Sequence, residues 1–328
     1  MKTKLWMLGM AVAALTSCTQ SEVVEIPESR VIGFDSHVDK TTRAMTPISG
    51  VGQADNDLRM FYVYGYENDS LYFNGTTVEY DGSKFTYSPH KQWKAAKNYH
   101  FAAYSDGNSI CTNVVYNKIT GGSQLVISDY TVGDNDLMAA IVDSIPINAG
   151  ASNTPEHVDL TFEHMLCVIT LSLTNGGTNY LQLGDITAKG VKTNTCTYKI
   201  NNGAKTCNWS TGIPEENAYT FAGTGDNAYI EPAGRHVVSY FFIPQSTDIN
   251  ITIPVRTYTK SGNEYILSTS ENKNTTLKLL ENGVTSSWQN GKHYVYNGTL
   301  AGTVHYIHFD ATVSGWGTPV NNTLVFSD

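Results

Sequence analysis

The sequence predicts an all-β protein with two sandwich domains in tandem, and three observations support this prediction. The chain of 328 residues has only 16% charged residues but contains 20 Tyr and 28 Gly, a composition that favours strands joined by tight turns. Short alternating segments recur with turn residues between them, whereas helix start and stop signals are sparse. The length also exceeds the roughly 250–300 residues at which one core stops growing, which predicts two domains.

The charge balance excludes several classes of protein. The formal net charge is −9, and an acidic surface repels a phosphate backbone, so we expect no nucleic-acid partner. The hydrophobic content of 41% is enough to fill cores, which argues against a disordered chain. The composition therefore indicates a globular β-protein.

The first segment carries the signals of an exported lipoprotein. Two lysines precede an apolar run over residues 5–15, which is too short to span a bilayer as a stable helix. Residues 15–18 read Leu-Thr-Ser-Cys and resemble a bacterial lipobox, in which the cysteine is acylated. We expect a signal peptide over 1–17, lipid on Cys18 and a polar tether over 18–30. The alternative is an ordinary cleaved signal peptide with a chance cysteine.

Strand patterns then follow one another along the rest of the chain. Residues 31–36 alternate between two faces and predict the first strand. Further strands are predicted over 60–66, 72–78 (with an Asn-Gly turn), 85–87, 99–104, 124–128, 137–142, 158–173, 185–188, 195–200, 218–221, 236–243, 250–259, 265–268, 276–279, 292–300, 304–313 and 323–326. The stretch 147–156 is rich in turn residues, which places the domains at 31–155 and 156–328.

One pair of cysteines is placed so that a disulfide is possible. Cys196 and Cys207 flank an Asn-Gly turn, so they could face each other across a hairpin. An exported compartment would permit a disulfide between them, and buried free thiols are the equal alternative. The chain has no Cys-x-x-Cys spacing, and we predict no metal site.

No catalytic pattern occurs in the sequence. Asp134-Asn135-Asp136 resembles the start of a calcium loop but lacks the glycine and glutamate that complete one, and it is better explained as a turn. His164 lies within an apolar strand and is expected to be a hydrogen-bonded core residue. We therefore predict no enzyme activity, no catalytic residue and no cofactor.

Two sets of surface features are candidates for glycan chemistry. Trp93, Trp288 and Trp316 could form sugar platforms, although most tryptophans in β-proteins pack in cores or at edges. Ser70 and Ser144 each follow an Asp and precede an aliphatic residue. This triplet resembles an acceptor for bacterial O-glycosylation.

Four stretches, taken in order, resemble the fimbrillin family of Bacteroidales, which are the subunits of type V pili. They are the lipobox followed by residues 30–47, residues 87–105, residues 158–166 with 239–244 downstream, and residues 288–294 followed by 307–309 and Trp316. Their order spans nearly the whole mature chain. The resemblance implies two transthyretin-like Greek-key β-sandwich domains.

The resemblance also implies a function. The expected role is a structural subunit or adhesin of a fimbria on the cell surface, with other fimbrial subunits as partners. The N-terminal lipid would hold the protein on the outer membrane, and a surface receptor or glycan is a further candidate partner. The alternative is a surface lipoprotein that binds glycans through exposed aromatic residues without catalysis.

Assembly in such a family implies processing by an arginine-specific protease in the loop after the first strand. The bond between Arg43 and Ala44 matches that loop best, and the bond between Arg30 and Val31 is the lesser candidate. The displaced strand would include Val31, Ile32, Gly33 and Phe34. A strand from the next subunit would replace it. The candidate donor is Thr323, Leu324, Val325 and Phe326, with 304–313 as a second candidate, unless both belong to the C-terminal sandwich.

Overall fold

The computed structural model describes residues 30–38, 58–107, 110–246, 248–277, 280–281, 284–285, 287–300 and 309–315. These ranges contain strands and no α-helix, so the prediction of an all-β protein is confirmed. None of the described residues forms a helix long and apolar enough to cross a membrane.

The strands of the first half are β1 (Gly33–Val38), β2 (Met60–Glu67), β3 (Ser70–Tyr80), β4 (Phe85–Thr86), β5 (Lys97–Asp106), β6 (Val114–Ile119), β7 (Gly122–Thr131), β8 (Leu137–Ile147) and β9 (His157–His164). The next are β10 (Cys167–Asn175), β11 (Tyr180–Leu183), β12 (Ile186–Gly190), β13 (Thr193–Asn201), β14 (Ala204–Trp209), β15 (Glu215–Phe221), β16 (Arg235–Phe242) and β17 (Ile249–Ser261). The last are β18 (Glu264–Leu277), β19 (Leu280–Glu281), β20 (Val284–Thr285), β21 (Lys292–Leu300) and β22 (Phe309–Gly315).

A seven-stranded sheet organises the N-terminal half. Its strand order is β1-β9-β8-β5-β2-β3-β4, with β1 parallel to β9 and the other neighbours antiparallel. The first and last strands in this order, β1 and β4, also contact each other. The sheet therefore curls around an apolar cluster that is rich in aromatic rings.

The other face of this sheet packs on a second sheet, ordered β14-β13-β7-β6. Tyr62 and Tyr104 from the first sheet share a core with Leu125 and Tyr198 from the second. This core continues into the C-terminal half. The second sheet takes strands from both halves of the sequence, so hairpin β13–β14 covers the N-terminal half.

Two further sheets form the C-terminal half. One has the order β16-β10-β21-β22, with β10 parallel to β21, and the other has the order β11-β17-β12-β15, with β18 added to β17. Tyr219 of β15 stacks on Phe242 of β16, with 3.8 Å between ring centroids. Since these two strands belong to different sheets, the ring pair lies where the sheets face each other.

The segment 158–173, predicted as one strand, is two strands in the structure. It divides at Met165 and Leu166, which are both fully buried. The backbone N–H of Met165 bonds to the carbonyl of Leu137, and the chain then passes from the first sheet to the C-terminal sheet. The continuous apolar pattern could not reveal this turn, because the turn itself is apolar and buried.

The proposed domain boundary at 155/156 falls just before β9. In the structure β9 lies between β1 and β8 in the seven-stranded sheet, so this sheet extends to His164. The division into two transthyretin-like Greek-key domains stays a prediction from the sequence.

Candidate functional site: the groove that holds the first strand

The first strand lies at the edge of the seven-stranded sheet. It pairs in parallel with β9, in a register that runs from Gly33 opposite His157 to Val38 opposite Phe162. A side chain at Gly33 would meet the His157 ring at 2.5 Å and the Glu156 carbonyl at 3.0 Å. Glycine therefore permits the two backbones to approach closely at the start of the strand.

The residues just before β1 are held on their other side by residues 91–93. The backbone N–H of Ile32 donates to the carbonyl of Lys91 at 2.8 Å, and the N–H of Trp93 donates to the carbonyl of Arg30 at 2.9 Å. The buried Tyr87 hydroxyl also donates to the carbonyl of Ile32, at 2.9 Å. The segment 30–34 is thus fixed between two stretches of backbone.

Phe34 anchors the strand inside the curled sheet. Its ring is 2% exposed and lies 5.5 Å from Phe73, 5.6 Å from Tyr87 and 5.7 Å from Phe101, between ring centroids. Its planes with Phe73 and Phe101 are nearly perpendicular, an arrangement that aromatic rings favour. Ile32 is fully buried in the same cluster.

Removal of the first strand would open a groove between β9 and residues 91–93. The backbone edge of β9 would lose its pairing with β1, and such an unpaired edge is a template for another strand. Removal of Ile32 and Phe34 would leave a cavity with an apolar floor. Burial of each such side chain contributes about 1.5–3 kcal/mol to stability, so the open groove would favour a strand that refills the cavity. A replacement strand would need apolar side chains at matching positions.

The two candidate processing bonds differ in their surroundings. Arg30 is exposed, but its carbonyl accepts the hydrogen bond from Trp93, so the bond between Arg30 and Val31 starts inside the paired segment. Arg43 and Ala44 lie outside the described residues. So do residues 18–29 of the tether, including Cys18, and the candidate donor residues 323–326.

The second donor candidate, 304–313, overlaps a strand of the C-terminal sheet. Strand β22 pairs antiparallel with β21, from Phe309 opposite Gly298 to Gly315 opposite Lys292. It stands at the end of the sheet order. Residues 309–313 therefore pair within the C-terminal sheet of this chain, and both donor candidates stay predictions.

Trp93 and Trp288 do not form a sugar platform. Trp93 and Trp288 are each 2% exposed. The Trp93 indole donates to the carbonyl of Pro155, and the Trp288 indole donates to the Tyr296 hydroxyl. Both rings therefore pack in cores, as most tryptophans in β-proteins do, and Trp316 lies outside the described residues.

Cys196 and Cys207 lie on neighbouring strands of the predicted hairpin. Cys196 is opposite Trp209 and Cys207 is opposite Tyr198, so the two cysteines are diagonal neighbours. Both are free thiols with 3.7 Å between the sulfur atoms. The contact with Cys207 and burial raise the pKa of the Cys196 thiol.

Ser70 and Ser144 both lie on the surface of the seven-stranded sheet. Each side chain is exposed, and the Ser144 hydroxyl donates to the Asn98 side-chain oxygen at 2.8 Å. The exposure required of a glycosylation acceptor is present at both positions. Modification of either serine stays a prediction.

The buried side chains of Asp136 and His164 are joined by a hydrogen bond between the β8 region and the end of β9. Burial raises the pKa of the Asp136 carboxyl, and the neighbouring His164 opposes that rise. The pair therefore ties two segments of the core together, in agreement with a structural role for His164. Among the described residues, no group of three or more His, Cys, Asp or Glu side chains could hold a metal ion.

Sequence reasoning from the residues missed the contacts that clamp the first strand. The alternation over 31–36 indicates a strand but not its partners, which lie far away at residues 91–93 and 157–162. The stretch from Tyr87 to Trp93 was singled out only by resemblance. Its aromatic ends are the signal that could have placed it against Phe34.

Comparisons with known proteins found one matching family model and several similar solved structures. A family model described as fimbrillin-like matches residues 42–316. The crystal structure of a fimbrial protein from Bacteroides vulgatus is similar with a TM-score of 0.58 and 14% identity, covering 88% of this chain and 99% of that one. The fimbrial anchor protein Mfa2 from Porphyromonas gingivalis aligns with a TM-score of 0.36 and 11% identity, covering 88% and 98%. No curated protein sequence matches the chain significantly.

Proposed function

Because the chain belongs to the fimbrillin-like family, we propose that it is a structural subunit or adhesin of a cell-surface fimbria that is assembled by strand exchange. The observation that carries this proposal is the first strand itself. It is an edge strand whose buried Phe34 fills an aromatic cluster formed by other strands. A fold with one replaceable strand has a built-in site for a neighbouring subunit.

The first step is cleavage between Arg43 and Ala44, which separates the first strand covalently from the rest of the fold. Cleavage alone does not empty the groove, because Ile32 and Phe34 remain buried and the backbone bonds to Lys91 and Trp93 remain in place. The severed strand therefore stays bound until a competing strand replaces it.

The second step is replacement by a strand of the next subunit, for which we propose residues 323–326. Leu324 and Phe326 are two residues apart, as Ile32 and Phe34 are, so both can face the apolar floor of the groove. The incoming backbone would satisfy the polar edge of β9 as the first strand did. The exchange replaces one paired strand with another. A small additional stabilisation of the new interface is therefore enough to favour the assembled state over the cleaved subunit with its own strand bound.

Repetition of this contact gives a fibre. Each subunit presents its own tail to the next, which makes the contact head-to-tail. Such a contact extends into a filament unless the rotation between subunits closes a ring. The lipid on Cys18 would be removed with the first strand from a processed subunit. A subunit that escapes cleavage would keep the lipid and stay on the outer membrane.

The role needs no catalytic chemistry. The Asp136–His164 pair is buried in the core and ties strands together, so it supports this view. The aromatic glycan platform is not favoured as a second function, since Trp93 and Trp288 are buried.

The test is treatment of the purified chain with an arginine-specific protease. N-terminal sequencing locates the cleavage, which matters because Arg30, Arg59, Arg235 and Arg256 are further candidate positions in the sequence. We expect a new terminus at Ala44 and a ladder of oligomers. The matched control is Arg43→Ala, which should give no ladder of oligomers under the same treatment, while Arg30→Ala should assemble like the wild type.

A further inference from the structure

Strand β18 is a long edge strand on the C-terminal half. It pairs with β17 from Ile249 opposite Leu277 to Ser261 opposite Glu264. Within the described part of the chain, no strand pairs with its other side. Residues 266–272 are all exposed, and Ile266 and Leu267 are 53% and 52% exposed. An edge of this length presents a row of backbone groups to a second chain.

The sequence of this edge is nearly symmetric about Asn272. Residues 269–275 read Thr-Ser-Glu-Asn-Lys-Asn-Thr. If two copies paired antiparallel with a two-fold axis at Asn272, Glu271 would face Lys273 of the second copy, and Thr269 would face Thr275. Opposite charges and threonine pairs are combinations that stabilise antiparallel neighbours.

In the single chain the two charges pair with each other, and the Lys273 side chain is 11% exposed. Within one chain, the Lys273 ammonium lies 2.8 Å from the Glu271 carboxylate. They face Ile253 and Val255 of β17, so both side chains are on the same face of the strand. In the paired copies the four groups would alternate in sign along this face, and every like-charged pair would be separated by an opposite charge.

A register shift limits how far the contact extends. The pairing of β17 with β18 slips between Thr257 opposite Thr269 and Tyr258 opposite Leu267, which leaves Ser268 as an extra residue. Such a bulge increases the local twist and ends regular pairing. The regular part of the edge begins at Thr269, which is also where the symmetric segment begins.

We propose that two copies of this chain associate side by side through antiparallel pairing of residues 269–275 of β18. The contact uses the same surface on both copies and closes on itself, so it cannot extend a fibre. It would instead join two neighbouring fibres laterally. The segment is short, so the contact between single copies is weak, but its repetition along two fibres would add up by avidity.

The opposing explanation is that the charges protect the edge, because a lysine that points inward is a common device against strand pairing. The two explanations predict different effects of replacing Lys273. If Lys273 protects the edge, an apolar residue in its place increases association. If Lys273 pairs with Glu271 of a second copy, an acidic residue in its place weakens association.

The experiment measures self-association of the full chain by sedimentation equilibrium. The Arg43→Ala background prevents processing, so the result does not depend on strand exchange at the other site, and a failure here is distinct from a failure of fibre formation. We expect concentration-dependent dimers of the parent chain, with a dissociation constant of about micromolar to millimolar, as is usual for small interfaces.

Charge reversal gives four matched samples. Lys273→Glu and Glu271→Lys should each weaken dimerisation at least about tenfold, because both two-fold-related contacts become repulsive. An equimolar mixture of the two variants should dimerise, since one variant presents two carboxylates at positions 271 and 273 and the other presents two ammonium groups. The double reversal should restore the homodimer. Lys189→Glu, which reverses an exposed charge paired with Glu216 on another strand, should have no effect.

The proposal is overturned if the parent chain stays monomeric up to about millimolar concentration, or if the mixture associates no better than the separate variants. Stronger association of Lys273→Leu than of the parent would overturn it in favour of edge protection. Circular dichroism of each variant confirms that the strands are intact, so a loss of association reports on the contact.

Discussion

The ring of Phe34 lies 5.5 Å from the ring of Phe73 and at 83° to it. The two residues belong to β1 and β3, which are separated in the sheet order by four strands. They meet because the sheet curls and brings its edge strand over the aromatic interior. The core of the N-terminal half therefore depends on the strand that assembly is proposed to remove.

Replacement of Phe34 by alanine should destabilise the unprocessed chain by about 3–5 kcal/mol, the usual range for a buried Phe. The cause is the cavity left among Phe73, Tyr87 and Phe101. Urea unfolding followed by tryptophan fluorescence measures the loss, since Trp93 packs within 6.0 Å of Phe101. Ser36→Ala, on the same strand but outside the core, is the control. Equal midpoints for the two variants would contradict the anchoring role of Phe34.

Acidification should destabilise the C-terminal sheet through His293. Burial lowers the pKa of His293 to about 4, below the ordinary value of about 6.5. Between pH 6.5 and 4 the unfolded chain binds a proton that the folded chain does not, so stability contributed by the neutral imidazole is present above this window and is lost as pH falls through it.

The measurement is the difference in melting temperature between pH 7.5 and pH 4.5, compared with that of His293→Gln. Glutamine keeps a polar group near the Thr170 hydroxyl, which lies 2.8 Å from the imidazole Nε2. The variant should lose less stability on acidification than the wild type. An identical loss in both proteins would show that His293 does not titrate in this window.

Oxidation should join Cys196 to Cys207. Their sulfur atoms are 3.7 Å apart, so a small side-chain rotation brings them to bonding distance. The raised pKa of Cys196 makes the reaction slow at neutral pH, because the thiolate is the attacking species. Peptide mapping after treatment with oxidised glutathione at pH 8.5 should find this disulfide.

Cys167 serves as the internal control for this reaction, since it is fully buried and bonds to the carbonyl of Phe242. It should stay reduced. Recovery of Cys196 and Cys207 as two separately alkylated thiols would contradict the prediction.

Local sequence patterns predicted the positions of most strands. The strands and boundaries that were missed depend on pairing between residues far apart in the sequence. Alternation located β13, which has one face in a core. Short apolar and aromatic runs located β2 and β5, which are buried on both faces. Strand β6 was missed, since its side chains are mostly half-buried or exposed and its pattern is weak. The break at Met165 was missed because both sides of it are apolar.

The candidate site was predicted in part. The alternation over 31–36 located a strand at the correct place, and the buried positions Ile32 and Phe34 fall on one face of it, as the alternation requires. Parallel pairing with β9 could not be predicted, since nothing in a short strand specifies which distant partner accepts it. That choice depends on how the sheet curls, which is a property of all seven strands together.

In the proposed assembly the tail of another copy takes the place of β1 beside β9, and cysteine cross-linking can detect this exchange. Asp159 is exposed and lies opposite Asp35, so Asp159→Cys reports on whatever strand occupies the groove. One chain carries Asp159→Cys and a second carries a single cysteine at one position from 323 to 326. Cys111 and Cys207, which are partly exposed, are replaced by serine in both.

Before cleavage, we predict that Asp159→Cys forms a disulfide only with an Asp35→Cys placed in the same chain. After cleavage at Arg43 and mixing, we predict an intermolecular disulfide between Asp159→Cys and at least one tail position. Retention of the link to Asp35→Cys after cleavage, with no intermolecular product at any of the tail positions, would contradict the account.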